Sequence, residues 1–285
     1  MRRTLAPKLH LALLATLALS LSAPDLLLAQ AAPAAPNSGA TDPTPICADR
    51  PTKSNGACTV DSGHFQYEIG LADLTMQRQS GVTTDTWLLF DPMLKYGIAP
   101  RLDLEANMAA LQVVRTRAGD GRPVTLAGVG DLYLRAKWEF IDTHGDTVQA
   151  ALLPYVKAPT ARAGVGNGSV EGGLIVPASV KLSQLLTVAV GPEVDLLKNA
   201  NDAGHHLATA QVLNLAVSLP RNVTVYGELW GAWNFDPTGT VRQVTGDLAV
   251  SYLATPRLQL DAGVNIGLNR ATPGSEVYLG ISQKF

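Results

Sequence analysis

The sequence predicts an all-β fold, a transmembrane antiparallel up-and-down barrel of about twelve strands, and three observations lead to it. Between Asp131 and Phe140 polar and apolar side chains alternate without a break: Asp131, Tyr133, Arg135, Lys137 and Glu139 against Leu132, Leu134, Ala136, Trp138 and Phe140. Strict period two makes a strand with one wet and one dry face, whereas a helix would scatter those charges around its circumference. Segments of this kind recur at lengths of about ten or more residues, enough for a tilted strand to cross the hydrocarbon. Their connections alternate between short turns and longer loops, as in barrels with short periplasmic turns and long outer loops. A soluble sandwich has no reason to sort its loops this way.

The compartment follows from the first 62 residues. Arg2, Arg3 and Lys8 precede an apolar run from about Leu9 to Leu28 and a small-x-small site at Ala29-Gln-Ala31. Residues 1–31 therefore read as a secretory signal peptide, and Pro24 and Asp25 break the run short of a membrane-spanning helix. Residues 32–62 read as a periplasmic N-terminal segment, disordered to about residue 45 because Ala, Pro, Ser and Thr cannot bury a core. Cys47 and Cys58, the only cysteines, are expected to form one disulfide in an exported protein, a structural staple ahead of the first strand. Residues 63–285 remain for the barrel. A net charge of −2 recruits no nucleic acid.

Along the barrel the first strand runs from His64 to about Gln79, with Phe65, Tyr67, Ile69 and Leu71 on one face, and turns at Ser80-Gly81. Thr83–Tyr96 follows, with Leu88, Phe90, Pro92, Leu94 and Tyr96 opposite Trp87, Asp91, Met93 and Lys95. After Gly97-Ile-Ala-Pro100 come Arg101–Val114, a polar loop, the 131–140 stretch, a tight turn at Asp142-Thr-His-Gly145 and Val148–Ala158. The Gly-rich segment Thr160–Gly173 reads as a long loop. The sixth and seventh strands carry Leu174–Leu182 and Leu186–Val194, and Leu207–Leu219 and Val223–Phe235 are the eighth and ninth. Leu248, Val250 and Tyr252 mark the tenth strand, Leu258–Leu268 the eleventh and Ser275–Phe285 the last.

The two faces differ in charge. Lipid-facing positions must be apolar, because an uncompensated charge in a dry environment costs several kcal/mol. The candidate lumen lining is therefore the opposite set: Trp87, Asp103, Glu105, Asp131, Tyr133, Arg135, Lys137, Glu139, Tyr155, Lys157, Glu193, Tyr226, Glu228, Trp230, Asp247 and Asp261, with Glu68, Asp91, Lys95 and Asp195 in the same register. Acids outnumber bases there, which disfavours an anion-selective pore lined by Lys and Arg. The charges either border an open conduit or pair into a network that fills the barrel. Trp87, Trp230 and the tyrosines could stack on an aromatic solute or pack the lumen.

Catalytic and cofactor motifs are weak. The mature chain has His64, His144, His205 and His206, and no Gly-x-Ser-x-Gly accompanies them. Adjacent His205 and His206 point to opposite faces of a strand, a poor chelating geometry. Gly164-Val-Gly-Asn-Gly-Ser169 lacks the Lys-Ser/Thr of a P-loop. No enzyme activity, metal or cofactor is expected; a lipid hydrolase would need a positioned Ser–His pair at the outer face.

Five stretches carry a family resemblance: Cys47-Ala-Asp-Arg-Pro51; Cys58-Thr-Val with Gly63-His-Phe-Gln66; Gly130-Asp131 followed by Lys137; Pro154-Tyr-Val-Lys-Ala-Pro159; and Leu260-Asp-Ala-Gly263 through Phe285. With them, residues 46–285 resemble the outer-membrane transporters named for the meta-pathway of phenol degradation. The resemblance implies a barrel in the outer membrane of a Gram-negative bacterium that passes small, often aromatic, compounds. Val277, Leu279, Ile281 and the terminal Phe285 resemble the signal read by the barrel-assembly machinery, with Gln283 a departure from it. The expected partners are outer-membrane lipids, that machinery and a small-molecule solute. A closed barrel satisfies its own edges, so a monomer is the expectation. The rival reading is a plugged structural or adhesive barrel acting through its outer loops.

Overall fold

The computed structural model describes residues 45–141 and 147–285. The expected signal peptide, the expected linker up to residue 44 and the expected turn around His144 lie outside the described residues. Sixteen strand segments form one sheet: β1 (Phe65–Gln79), β2 (Val82–Ala99), β3 (Leu102–Asn107), β4 (Leu111–Ala118), β5 (Val124–Gly128), β6 (Leu132–Ile141), β7 (Val148–Ala158), β8 (Glu171–Ile175), β9 (Ala178–Lys181), β10 (Leu186–Val190), β11 (Glu193–Lys198), β12 (His205–Leu219), β13 (Val223–Asn234), β14 (Val241–Thr255), β15 (Leu258–Gly267) and β16 (Ser275–Lys284). They make a closed antiparallel barrel of twelve staves, because β3–β4, β5–β6, β8–β9 and β10–β11 are each one stave with an interruption. The ring closes where β1 pairs with both β16 and β2.

The interruptions have local causes. Pro177 and Pro192 have no N–H to give the ladder and break their staves. The wall stays connected there through the Ala151 amide to the Pro177 carbonyl and the Val176 amide to the Pro192 carbonyl, both 2.9 Å. Ser80-Gly81 and Arg221-Asn222 both have two consecutive positive φ angles, the two-residue hairpin geometry that matches the twist of the flanking strands.

A pair of bulges reshapes the first hairpin. The β1–β16 register skips Leu71, and on the facing strand Phe90 sits at φ 50° between Asp91, opposite Gly70, and Leu89, opposite Ala72. One extra residue reverses which side chains point inward beyond it. Below the bulges Lys95, Met93 and Asp91 face the lumen, as the sequence reading has them. Above them Leu88 and Thr86 line an internal cavity, and Trp87, 40 % exposed, turns outward beside Leu74 and Val113. The expected lumenal position of Trp87 is corrected on this ground.

Leu94, Tyr96, Leu104, Leu134, Trp138, Leu213, Leu229, Leu248, Leu260, Val277 and Leu279 are exposed on the outside. So continuous an apolar surface on a closed sheet is a lipid-facing belt. Among the described residues no helix is long and apolar enough to cross a membrane; strands do the crossing. The buried interior is polar instead: Lys95, Lys137, Gln66, Glu68, Asp103 and Ser282 are among its least exposed side chains.

Candidate functional site

What fills the lower lumen is the chain's own segment 45–62. The sequence reading grouped it with 32–44 as a periplasmic piece without a core, but here the barrel supplies the core. The Cys47–Cys58 disulfide closes part of it into a loop, and the segment is held by eight different strands, β16 among them through Lys284 to Asp61 at 2.6 Å. Gln66 of β1 exchanges hydrogen bonds with the Cys47 backbone, its amide nitrogen donating to the carbonyl at 2.7 Å. Glu68, also on β1, accepts from the amides of Asp49 (2.9 Å) and Arg50 (3.0 Å). Asp49 binds Lys95 of β2 at 3.0 Å and Lys137 of β6, both fully buried. Asp103 of β3 accepts the Val60 amide at 2.8 Å. Across the barrel Arg50 pairs with Asp261 of β15 and Lys53 with Asp247 of β14, each at 2.8 Å. Glu228 of β13 accepts the Lys53 amide at 3.0 Å.

Each charge on this plug faces its opposite on the wall: Asp49 meets the lysines of β2 and β6, while Arg50 and Lys53 meet the acids of β13–β15. Glu105 completes the basic side, 3.2 Å from Lys137 and 3.6 Å from Lys95. Burial is the largest influence on the Asp49 carboxyl and alone would raise its pKa. The charges and hydrogen bonds of Lys137 and Lys95 together outweigh it and hold the group well below the usual carboxylate range. Two wall glycines make the fit possible. A Cβ on Gly97 would lie 2.4 Å or less from the Val60 and Asp61 carbonyls, and one on Gly280 would lie 2.3 Å from Nε of Arg50.

Above the plug two cavities of about 200 Å³ and 420 Å³ adjoin through Asp91 and Asn107. The first lies against Asp49, Arg50 and Arg135, the second against Tyr133, Asp131, Lys157 and Glu171. A third cavity of about 230 Å³ borders Lys53 and Trp230, whose ring centroid is 5.2 Å from the lysine nitrogen.

The sequence-predicted residues distribute as follows. Asp103 and Lys137 hold the plug, Glu105 lies against Lys95 and Lys137, and Glu139 is buried near Gln149 at 3.5 Å. Asp131, Lys157 and Glu171 form an upper ion-pair cluster, with Lys157 to Glu171 at 2.6 Å. The Tyr155 hydroxyl donates to Asp195 at 2.6 Å beside Glu193, and Tyr226 meets Ser251 at 3.1 Å. Val277 and Leu279 face outward, and the Phe285 ring lies 5.6 Å from Tyr67. Asp49, Arg50 and Lys53 were missed as site residues. Their concentration between two cysteines was the available signal.

A Ser–His contact does occur at the outer end: Ser169 Oγ lies 3.2 Å from His205 Nε2. The same nitrogen lies 2.8 Å from the Val170 carbonyl, which can only accept, so Nε2 carries the proton and cannot act as base toward Ser169. His206 is buried against Asn199 while His205 is exposed, so the two do not converge. Among the described residues no group of three or more His, Cys, Asp or Glu side chains is placed to hold a metal.

A closed barrel with an apolar belt and a charged, internally plugged lumen defines a membrane-spanning β-barrel protein. A family profile described as "Putative MetA-pathway of phenol degradation" matches residues 48–285, and the chain belongs to that family. Among solved structures it is similar to the COG4313 outer membrane channel from Pseudomonas putida F1, at 15 % identity and a TM-score of 0.64, covering 80 % of this chain and 98 % of that one. The β domain of the Bordetella autotransporter BrkA is 14 % identical, at a TM-score of 0.48 over 79 % of this chain and 100 % of that one. The NanC porin is 8 % identical, at 0.47 over 78 % and 100 %. No curated protein sequence matches the chain.

Proposed function

We propose that this protein is a channel of the Gram-negative outer membrane through which small solutes cross passively, and that residues 45–62 restrict it from the periplasmic side. The observation that carries the reading is the pair of adjoining cavities above a plug held by ion pairs and hydrogen bonds, contacts that can be exchanged without breaking the wall. The family membership and the likeness to a barrel described as an outer membrane channel support it. In this reading residues 1–31 direct export, the strand ending in Phe285 is read by the barrel-assembly machinery, and the barrel works as a monomer.

The buried ion pairs favour a second reading, a permanently plugged barrel that acts through its outer loops. Single-channel recording of the refolded protein in a planar bilayer, with phenolic and aliphatic solutes added in turn, separates the two. Stable conductance that a solute blocks supports passage; a folded barrel that passes neither ions nor solutes supports the plugged form.

A further inference from the structure

Among the described residues the cations inside this barrel are paired with carboxylates, with one exception. Lys95, Lys137, Lys157, Arg50 and Lys53 each reach a carboxylate at 3.0 Å or closer. Among the described residues Arg135 has no carboxylate within 4.0 Å. Its Nη1 contacts the Met93 sulfur at 3.5 Å, and its buried Nε has no hydrogen-bond partner. Arg135 is half-buried with its Nε shielded from water, and it borders the 200 Å³ cavity directly above the plug. Next to it are rings as well as the acids of the cavity wall. The Arg135 guanidinium lies 5.8 Å from the Tyr133 ring centroid, and Tyr133 lies 6.2 Å from Tyr155 on the neighbouring strand.

We propose that Arg135, Tyr133 and Tyr155 form a lumenal binding site for a small aromatic monocarboxylate. The guanidinium takes the carboxylate through two parallel hydrogen bonds, and the tyrosine pair packs the ring. The acids around the same cavity are already engaged: Asp49 by two lysines, Glu68 by Lys95 and backbone amides, and Asp91 by the Asn107 amide at 2.8 Å. One cation is thus left for one negative charge, so a dicarboxylate finds no second partner. A neutral aromatic offers the guanidinium no charge to pair with.

The site rests on the solute-passage reading and names the class of solute. Isothermal titration of the refolded protein with benzoate, benzamide and phthalate tests it without requiring flux. Benzoate is expected to bind saturably, and benzamide and phthalate more weakly. Arg135→Gln, with its fold checked by circular dichroism, is expected to weaken benzoate binding by about tenfold or more, the effect of losing charge-assisted hydrogen bonds. If that variant does not fold, Tyr133→Leu carries the test, lowering affinity for benzoate and leaving acetate unchanged. Wild-type protein that ignores benzoate or binds benzamide equally, or R135Q that binds benzoate as wild type does, overturns the site. A barrel that binds benzoate at Arg135 yet conducts nothing overturns passage alone.

Discussion

Arg50 and Asp261, 211 positions apart in sequence, meet at 2.8 Å inside the barrel, over the space left by Gly280. Gly280 pairs directly with Asp261 across β15–β16, so the missing side chain is where the guanidinium lies. Replacing Asp261 by Asn, or Gly280 by Val, is expected to undock this side of the plug while leaving the wall ladder in place. The Arg50 side chain keeps 22 % of its exposure, so the loss is about 1–3 kcal/mol, below that of a fully buried pair. Trypsin cleavage after Lys53 and open probability in planar bilayers should both rise. Unchanged values in both variants would mean that this contact does not anchor the segment.

Acid should loosen the opposite side. Burial pushes the Asp49 carboxyl up, but Lys137 and Lys95 together pull it well below its ordinary 3.8. A depressed folded-state pKa gives docking stability that is complete above the undocked value and is lost as pH falls through the depressed one. The plug should therefore stay docked at neutral and mildly acidic pH and loosen only below about pH 4. Glu68 and Glu105 share the same lysines, so the control is Asp49→Asn, which should already show raised conductance at neutral pH. A variant indistinguishable from wild type from pH 7 down to 3 would rule out Asp49 as the anchor.

The disulfide acts on the plug rather than on the wall. Cys47 and Cys58 close a loop at a sequence separation of 11, and a loop of that size stabilises its docked form by about 3 kcal/mol through the entropy it removes from the free segment. Reduction, or Cys47→Ser with Cys58→Ser, should increase hydrogen exchange in residues 45–62 with no change in β content by circular dichroism. Global loss of β structure on reduction would place the disulfide in the barrel's own stability.

Much of the wall is readable because a lipid-facing barrel has one strong rule, apolar at every second position, and the chain follows it from Leu132 to Phe140 and from Leu258 to Ile266. The plug obeys no such rule. Asp49, Arg50 and Lys53 have no periodicity, and their partners on β2, β6, β14 and β15 become neighbours only when the ring closes. A short polar segment that cannot build a core of its own can still be buried in one that another part of the chain provides. The pairing state of Arg135 is hidden for the same reason: alternation places it inward, but which carboxylates are consumed elsewhere depends on the closed geometry.

The bulge at Phe90 shows the other limit. Most positive-φ positions on strands belong to Gly or Asn, so a Phe there leaves no trace in composition. Its consequence is measurable, because it sends Trp87 to the lipid and leaves Trp230 inside. Variants retaining only one of the four tryptophans, reconstituted in bilayers with brominated acyl chains, should show strong quenching of Trp87 and little of Trp230, the reverse of their response to aqueous acrylamide. Deleting Phe90 should restore unbroken alternation to β2 and turn residue 87 inward, provided the facing bulge at Leu71 is removed with it. Trp87 protected from brominated lipid in the wild-type barrel would refute the bulge and return this residue to the lumen.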